Sequence, residues 1–324
     1  MIKKCQAPIF IIGNRRSGTT MLRLMVTSHP NLAIPPEGGF LIRLGWKYDR
    51  IQQFTEVQVD RFIEDLFQSP NIQDWEIQKS ALRERFLAKI PCSYPELIAE
   101  IYLSYIDQKF QGEKNRWGDK TTWYLNYLPQ IHTYYPEAQY IHIIRDGRAV
   151  AASFKRVSHL PDGIESITAE WLWSLNLIKS FGEQIGDGKY TEIRYEDLVR
   201  NPENELNNLC EFLREPYNDV MLNYWIKNRE NELEPRRHLK WKSLTLEKVS
   251  TDRISKWKTE LYKDEIITIE LMSKEKLREN EYELTHQDRG PYIHLCLKIR
   301  KGIRFIYRWV KIRLRKWKHV LLDC

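Results

Sequence analysis

The fold of this chain is decided by the stretch Pro8-Ile9-Phe10-Ile11-Ile12-Gly13-Asn14-Arg15-Arg16-Ser17-Gly18-Thr19-Thr20. It begins with a short, continuous apolar run and passes through a glycine-bounded turn into a helical pattern from Thr19 to Ser28. A wholly apolar run of this length is typical of a parallel strand that is buried on both faces. The stretch therefore predicts a strand–turn–helix unit, the building block of a doubly wound α/β sheet.

Two further strand-like segments extend the pattern. Gln139 to Arg145 predicts a second strand that turns at Asp146-Gly147 into a helix from Arg148 to Arg156, and Tyr190 to Tyr195 predicts a third. Helices are expected between them at about 56–68, 78–90, 94–111, 123–134 and 165–185. Strands that alternate with helices predict an α/β fold with a P-loop-type parallel β-sheet flanked by helices. Ligands of such sheets bind at the carboxyl ends of the strands.

The expected organisation is a single domain over 1–290 followed by a basic amphipathic tail over 291–324. Within the domain, about 40–115 is interpreted as a helical insertion that covers the acceptor side of the site. The polar segment at about 227–260 is interpreted as a long surface loop, a kind of segment that often forms a lid.

The charge of the chain is concentrated in its tail. The sequence has 324 residues and a formal net charge of +7, from 51 Lys and Arg against 44 Asp and Glu. Ten of the basic residues and one acidic residue lie in 291–324, so the remainder is nearly neutral. Alternating basic and large apolar residues in this tail favour a helix that packs on the domain or lies on an anionic membrane, with nucleic acid less favoured.

The cysteines and the hydropathy indicate a compartment. The five cysteines are scattered, with no Cys-x-x-Cys pair, which is typical of reduced thiols in a cytosolic protein. No signal-peptide pattern and no window of 18 uncharged apolar residues is present. The expected location is cytoplasmic, either free or peripheral to the inner face of a membrane.

The turn Gly13–Thr20 has the frame of a phosphate-binding P-loop, with one departure. Thr19 stands where G-x-x-x-x-G-K-[ST] has its lysine. The backbone N–H groups at the helix start can still cradle an anion, but the lysine that reaches β- and γ-phosphates is absent. The loop therefore suits a nucleotide with one 5′-phosphate, with Arg16 as the available cation. A glycine turn without a ligand is the alternative.

The end of the second predicted strand points to a phosphate clamp. Arg145 precedes Asp146 there, and a cation is unhelpful beside a magnesium ligand but well suited to phosphate. Asp146 is therefore expected to cap the following helix rather than to bind metal as in a Walker B strand. Ser153, further along that helix, can add a hydroxyl.

Together these residues resemble the sulfotransferase family that uses 3′-phosphoadenosine 5′-phosphosulfate (PAPS), especially the branch of protein-tyrosine sulfotransferases and many bacterial enzymes. Arg16–Thr20 resembles the family's 5′-phosphosulfate loop, and Ile143–Val150 with Ser153 resembles its 3′-phosphate segment. Further similar segments are Gly118–Thr121, Arg194–Val199 with Asn201-Pro202-Glu203, and Ser255-Lys256-Trp257. The resemblance covers 8–277 without most of 40–115, and it implies a sheet of five parallel strands.

The resemblance implies a set of catalytic residues. Glu37, in Pro35-Pro36-Glu37-Gly38-Gly39, matches the glutamate base of the tyrosine sulfotransferase-like branch. Lys120 and Arg16 would stabilise charge on the bridging oxygen of the leaving nucleotide. The rival bases are His29, His132 and His142, none of which stands in a matching motif.

The resemblance also implies the donor site and the reaction. The residues expected to bind PAPS are Arg16, Ser17, Gly18, Thr19, Thr20, Arg145, Ser153, Tyr195 and Lys256. The expected reaction is in-line transfer of sulfonate to a hydroxyl or amine of a small-molecule, saccharide, lipid or peptide acceptor, leaving 3′-phosphoadenosine 5′-phosphate (PAP), with no metal required. The alternatives are a P-loop kinase or NTPase, and a non-catalytic membrane-binding module.

Overall fold

The computed structural model describes residues 7–156, 163–186, 188–231 and 233–286, without the side chains of Asn231 and Trp241. The strands form one parallel sheet in the order β2-β3-β1-β4-β5. They are β1 (Ile9–Ile12), β2 (Leu32–Ala33), β3 (Arg116–Asp119), β4 (Gln139–Ile144) and β5 (Tyr190–Arg194). The α/β fold with a five-stranded parallel sheet is confirmed.

Helices flank the sheet on both faces. The described α-helices are α1 (Thr19–Ser28), α2 (Phe40–Tyr48), α3 (Glu56–Phe67), α4 (Lys79–Leu87), α5 (Tyr94–Phe110), α6 (Leu128–Tyr134), α7 (Gly147–Lys155), α8 (Gly163–Ile185), α9 (Tyr195–Arg200), α10 (Pro202–Leu213), α11 (Tyr224–Asn231), α12 (Leu239–Lys242), α13 (Asp252–Ser255), α14 (Trp257–Glu260) and α15 (Lys263–Glu279). Short 3₁₀ helices lie at Ile72–Trp75, Thr122–Tyr127, Asp219–Asn223, Arg236–His238 and Ser243–Leu246.

Strand β1 shows how the apolar runs build the core. Successive side chains of a strand point to opposite faces of the sheet. Phe10 and Ile12 therefore join a core with the helices of 40–134, whereas Ile9 and Ile11 join a second core with α1 and α10. Burial on both faces explains why the strand reads as an unbroken apolar run. Packing on both faces thus holds β1 at the centre of the sheet, and the turn after Ile12 lies at its carboxyl end.

The short strands and short helices of the structure differ from what the sequence predicts. The strands β2 and β3 have only two and four residues and carry no apolar run long enough to be recognised. The helix expected over 123–134 is a 3₁₀ helix followed by α6. The segment 227–260, expected as a surface loop, contains short helices and the buried residues Asn228 and Glu234. Helices of three to five residues are too short to show a periodic pattern.

Two findings concern membranes. In the described part of the chain, no helix is long and apolar enough to cross a membrane. The tail 291–324, expected as a basic amphipathic helix, lies outside the described residues.

Candidate active site

The phosphate loop closes against a tyrosine from another strand end. The loop joins β1 to α1, and Gly18 at the N-cap of α1 has φ 97°, in the left-handed region. A Cβ at Gly18 would lie 2.6 Å from a ring carbon of Tyr195. Ser17 and Thr19 are buried, and Thr20 is partly exposed. Glycine is therefore required at position 18 both for its backbone angle and for the close approach of Tyr195.

Arg145 and Ser153, which the sequence predicts to bind phosphate, both contact Arg16 of the loop. The Nη1 of Arg145 donates to the backbone oxygen of Arg16 at 3.0 Å, and the Arg16 Nε donates to Ser153 Oγ at 3.1 Å. The Arg145 guanidinium lies 4.0 Å from the ring centroid of Tyr195. Its buried Nε has no hydrogen-bond partner among the described residues. A buried guanidinium N–H without an acceptor is the kind of group that an anion satisfies.

Two arginines that the sequence analysis missed complete a cationic cluster. Burial and the neighbouring Arg145 and Arg156 lower the pKa of Arg16. Burial also lowers the pKa of Arg156, together with Arg253 and Arg145 and despite Glu260. The backbone oxygen of Arg253 accepts from Arg145 Nη2 at 3.5 Å. Mutual repulsion of this kind is relieved when an anion enters the cluster. No motif marks Arg156 and Arg253, which meet the others only in three dimensions.

Asp146 caps α7, as predicted, and faces a buried arginine. Its carboxylate accepts from the backbone N–H of Arg148 at 2.8 Å. The Arg148 side chain forms ion pairs with Asp146 at 2.8 Å and with Glu270 at 2.5 Å, and it lies 4.0 Å from the ring centroid of Trp257. The carboxylate thus orients α7 and ties it to α15. This contact accounts for Asp146 without a metal-binding role.

Tyr195 lies at the first turn of α9 with its ring buried between Gly18 and Arg145. The contact with adenine implied by the resemblance stays a prediction. The next residue, Glu196, accepts from the backbone N–H of Asp146 at 3.2 Å and from the hydroxyl of Tyr282 at 2.9 Å. Burial raises the pKa of this carboxyl. Glu196 therefore fixes the turn after β4 relative to β5.

The predicted catalytic residues Glu37 and Lys120 contact each other. Strands β2 and β3 pair in register at Leu32 with Arg116, so the segments that follow both strands leave the same edge of the sheet. The Nζ of Lys120 donates to Glu37 Oε1. The Lys120 side chain is 1% exposed and that of Glu37 is 26% exposed. A buried ammonium thus holds a carboxylate that opens toward solvent.

A second lysine, Lys242, acts on Glu37 electrostatically and was not predicted from the sequence. Burial would raise the pKa of Glu37, but Lys120 and Lys242 outweigh it and the pKa is lowered. The Lys242 Nζ lies 2.5 Å from Glu234 Oε1, and Glu234 Oε2 accepts from Arg23 at 2.7 Å. The sequence offered no signal for this set because its charges lie on segments separated by more than 200 residues.

Arg23 holds the segment that carries Glu234 and Lys242 at the site. Its Nη1 donates to the backbone oxygen of Ile34 and its Nη2 to that of Leu233, both at 2.9 Å. This arginine on α1 is fully buried. It therefore joins the helix of the phosphate loop to the turn that carries Glu37 and to the segment that carries Glu234 and Lys242.

The remaining predicted residues lie apart from this pair. Lys256 is exposed between α13 and α14, and its contact with donor phosphate stays a prediction. His29 contacts the backbone oxygen of Pro216 at the far end of α1, and His132 lies on α6. His142 is buried within β4, with Nδ1 2.7 Å from the hydroxyl of Tyr190. The structure places these three rival bases away from Lys120 and Glu37.

Over the described ranges, no group of three or more His, Cys, Asp and Glu side chains is arranged to hold a metal ion. The arrangement offers an anion site on the same edge of the sheet as an ionised carboxylate. The cationic cluster and the N-terminus of α1 lie at the ends of β1 and β4. Such a site can bind a phosphorylated group while Glu37 accepts a proton nearby.

Comparisons with known proteins show which proteins this chain is similar to. A model described as the sulfotransferase family matches residues 8–219, which is more than half of the chain. Protein-tyrosine sulfotransferase A of Caenorhabditis elegans is 25% identical over 229 residues, covering 67% of this chain and 52% of that protein. Nodulation protein NoeE of Sinorhizobium fredii is 27% identical over 303 residues, covering 86% of this chain and 66% of that protein. The chain thus spans about half the length of the tyrosine sulfotransferase.

Solved structures show the same fold. The sulfotransferase domain of the olefin synthase of Synechococcus PCC 7002 superposes with a TM-score of 0.58 at 22% identity, covering 83% of this chain and 96% of that domain. The sulfotransferase domain of the curacin biosynthetic pathway gives 0.57 at 21% identity, covering 86% and 99%.

Proposed function

This chain belongs to the sulfotransferase family, and we propose from that premise that it transfers a sulfonate group from PAPS to an acceptor hydroxyl or amine. The observation that carries the proposal is that the predicted residues form two sets, each joined by contacts among its own members. The phosphate loop, Arg145 and Ser153 form one set, and Glu37 with Lys120 forms the other. The first set suits the anionic donor, and the second suits proton transfer and leaving-group stabilisation.

The described residues fit the donor. The unpartnered Nε of Arg145 and the mutually repelling Arg16 and Arg156 form a site for a phosphate. The N–H groups of Gly18, Thr19 and Thr20 at the start of α1 suit the 5′-phosphosulfate, and Ser17 would add its hydroxyl because its N–H donates to the Asn14 oxygen at 3.2 Å. Ser153 and Arg145 would hold the 3′-phosphate, Tyr195 would meet the adenine, and Lys256 would add a cation from the late segment. When bound, PAPS supplies the sulfonate and a phosphate leaving group.

The residues of this chain then act in three ways. Glu37 accepts the proton of the acceptor group, and the low pKa of its carboxyl keeps it ionised for that task. The acceptor oxygen or nitrogen forms a bond to sulfur as the bond from sulfur to the bridging oxygen breaks. Lys120 and Arg16 stabilise the negative charge that develops on that oxygen. Lys120 must exchange its contact with Glu37 for one with the leaving group.

The proposal places the reaction in the cytoplasm. Cys92 and Cys210 are buried free thiols, which a reducing compartment would keep reduced. The tail 291–324 would either pack on the domain or contact an anionic membrane.

The test compares sulfonate transfer by matched variants. The wild type is incubated with ³⁵S-labelled PAPS and a cell extract, beside Glu37→Gln and Glu84→Gln, which changes an exposed carboxylate on α4. We expect the Glu37 variant to lose roughly 10²–10⁴-fold of the rate, while PAP binding by calorimetry is retained. The Glu84 variant should match the wild type. Equal labelling by Glu37→Gln would remove the base assignment, and absence of PAP binding by the wild type would remove the proposal.

The kinase alternative has a distinct signature. A P-loop kinase would be stabilised by ATP with magnesium and not by 3′,5′-ADP in a thermal melt. The contact of Asp146 with Arg148 and the threonine at position 19 favour the opposite result. We expect 3′,5′-ADP to raise the melting temperature more than ATP with magnesium does.

A further inference from the structure

The surface beside Glu37 carries an exposed row of aromatic rings. Trp46 on α2 and Trp123 on the 3₁₀ helix Thr122–Tyr127 have 57% and 36% of their surface exposed. The ring of Tyr127 lies between them, with its centroid 6.1 Å from Trp46 and 6.0 Å from Trp123. Large exposed aromatic groups clustered on one surface are uncommon unless they bind something. The aromatic row is therefore a candidate binding surface.

The row is continuous with the catalytic pair. Helix α2 begins two residues after Gly38, which follows Glu37 directly, and Trp123 lies three residues after Lys120. Gly39 has φ 72°, and a Cβ there would lie 3.4 Å from Trp123 Nε1. The backbone that follows Glu37 thus passes directly against the ring of Trp123. An acceptor that brings its hydroxyl to Glu37 has this surface beside it.

An arginine borders the row. The Arg43 guanidinium lies 5.7 Å from the ring centroid of Trp123, and the residue is exposed on the first turns of α2. Within the described residues it makes neither an ion pair nor a hydrogen bond. It can therefore donate hydrogen bonds to oxygen atoms of a molecule that lies on the rings.

A cavity of about 310 Å³ beside Pro36 is a poorer candidate. Five charged side chains line it, and two of them, Arg237 and Asp74, pair with each other at 2.5 Å. The aromatic row offers apolar faces and an available donor instead.

We propose that the aromatic row of Trp46, Tyr127 and Trp123, with Arg43 at its border, binds the acceptor, and that this acceptor is a saccharide. The C–H face of a sugar ring stacks on an indole or phenol ring, while its hydroxyls accept hydrogen bonds from a guanidinium. Consecutive rings about one sugar residue apart suit a chain of such units. A saccharide also presents many hydroxyl groups, one of which meets Glu37. This inference rests on the proposed function and adds the substrate class.

The first experiment identifies the class of acceptor. The PAP-loaded protein is applied to an array of bacterial, plant and animal oligosaccharides and, in parallel, to an array of tyrosine-containing peptides. We expect binding to saccharides. Binding to peptides alone, or to neither array, overturns the saccharide assignment while PAP binding still supports the sulfotransferase proposal. Failure of the protein to bind PAP would instead count against the proposed function itself.

The second experiment locates the binding to the row. With the best saccharide of the array, Trp46→Ala should raise KM about tenfold, the equivalent of losing one stacking contact, with kcat and PAP affinity unchanged. Trp46→Phe keeps a ring and should restore most of the affinity. Trp173→Ala removes a tryptophan that is 39% exposed on α8 and serves as the matched control. An unchanged KM in Trp46→Ala, or equal losses in Trp46→Ala and Trp173→Ala, would overturn the proposal.

Discussion

The ammonium of Lys242 lies 2.5 Å from Glu234 Oε1, and its charge also helps to lower the pKa of Glu37. Glu234 is in turn held by Arg23 from the helix of the phosphate loop. Charges of alternating sign therefore run from Arg23 through Glu234 and Lys242 to Glu37 and Lys120. In the proposed reaction, Lys120 would turn to the leaving group, and the charge of Lys242 would then keep the Glu37 carboxylate ionised.

Loss of Lys242 should change the pH dependence of the reaction. The groups that face Glu37 or interact with it electrostatically are Lys120, Lys242, Glu234, Asp119 and Tyr124. Lys242→Met removes a positive charge, so the pKa of Glu37 rises and the acid limb of kcat/KM moves to higher pH, by about one pH unit. Lys242→Arg should return the acid limb of kcat/KM to its wild-type pH.

Lys240→Met, at an exposed position of the same helix α12, is the matched control and should leave the limb unchanged. A uniform loss of activity with an unshifted acid limb in Lys242→Met would assign Lys242 a structural role only.

Gly18→Ala should weaken donor binding. The new Cβ would meet the ring of Tyr195 at 2.6 Å and would also require the left-handed φ of 97°. Such strain costs on the order of 1–3 kcal/mol, so the Kd for PAP measured by calorimetry should rise about tenfold or more. Gly188→Ala shares a positive φ of 81° but has no heavy atom within 4 Å of the added Cβ. A loss of PAP affinity as large in Gly188→Ala would contradict the role of the Tyr195 contact.

Arg148→Met should lower the free energy of unfolding of the domain. Arg148 is 2% exposed and neutralises both Asp146 and Glu270. Removing one member of a buried ion-pair network leaves uncompensated carboxylates and costs about 3–5 kcal/mol of unfolding free energy. Urea denaturation followed by circular dichroism measures it. Arg200→Met, which removes an exposed arginine 3.5 Å from Asp197, should cost little.

Asp119→Asn should stabilise the protein at neutral pH. Burial raises the pKa of Asp119 to about 6, although Tyr102 donates a hydrogen bond to it. A carboxyl whose pKa is higher in the folded state than in the unfolded state lowers stability as the pH rises from about 4 to about 6. The variant should gain up to about 3 kcal/mol above pH 6 and nothing near pH 4. Equal gains at both pH values would show that burial of the charged carboxylate is not the cause.

The sequence alone determined the central strands and the residues that follow them. β1 and β4 are buried, so their apolar runs are unbroken, and the ends of β1, β4 and the more exposed β5 could be predicted to within a residue or two. The phosphate loop, Arg145 and the capping role of Asp146 follow from local spacing and chemistry. Glu37 and Lys120 were named through the resemblance.

Only the tertiary structure decided which charges act together. Glu37 and Lys120 are 83 residues apart in sequence, and Arg23 and Glu234 are 211 apart, yet each pair is in contact. Arg156, Arg253 and Lys242 stand in polar segments without a motif, and folding brings them beside the site. Local patterns record burial and backbone geometry, because both depend on neighbouring residues. Electrostatic interaction depends on distance in space. Parallel strands bring close together residues that no local sequence pattern connects.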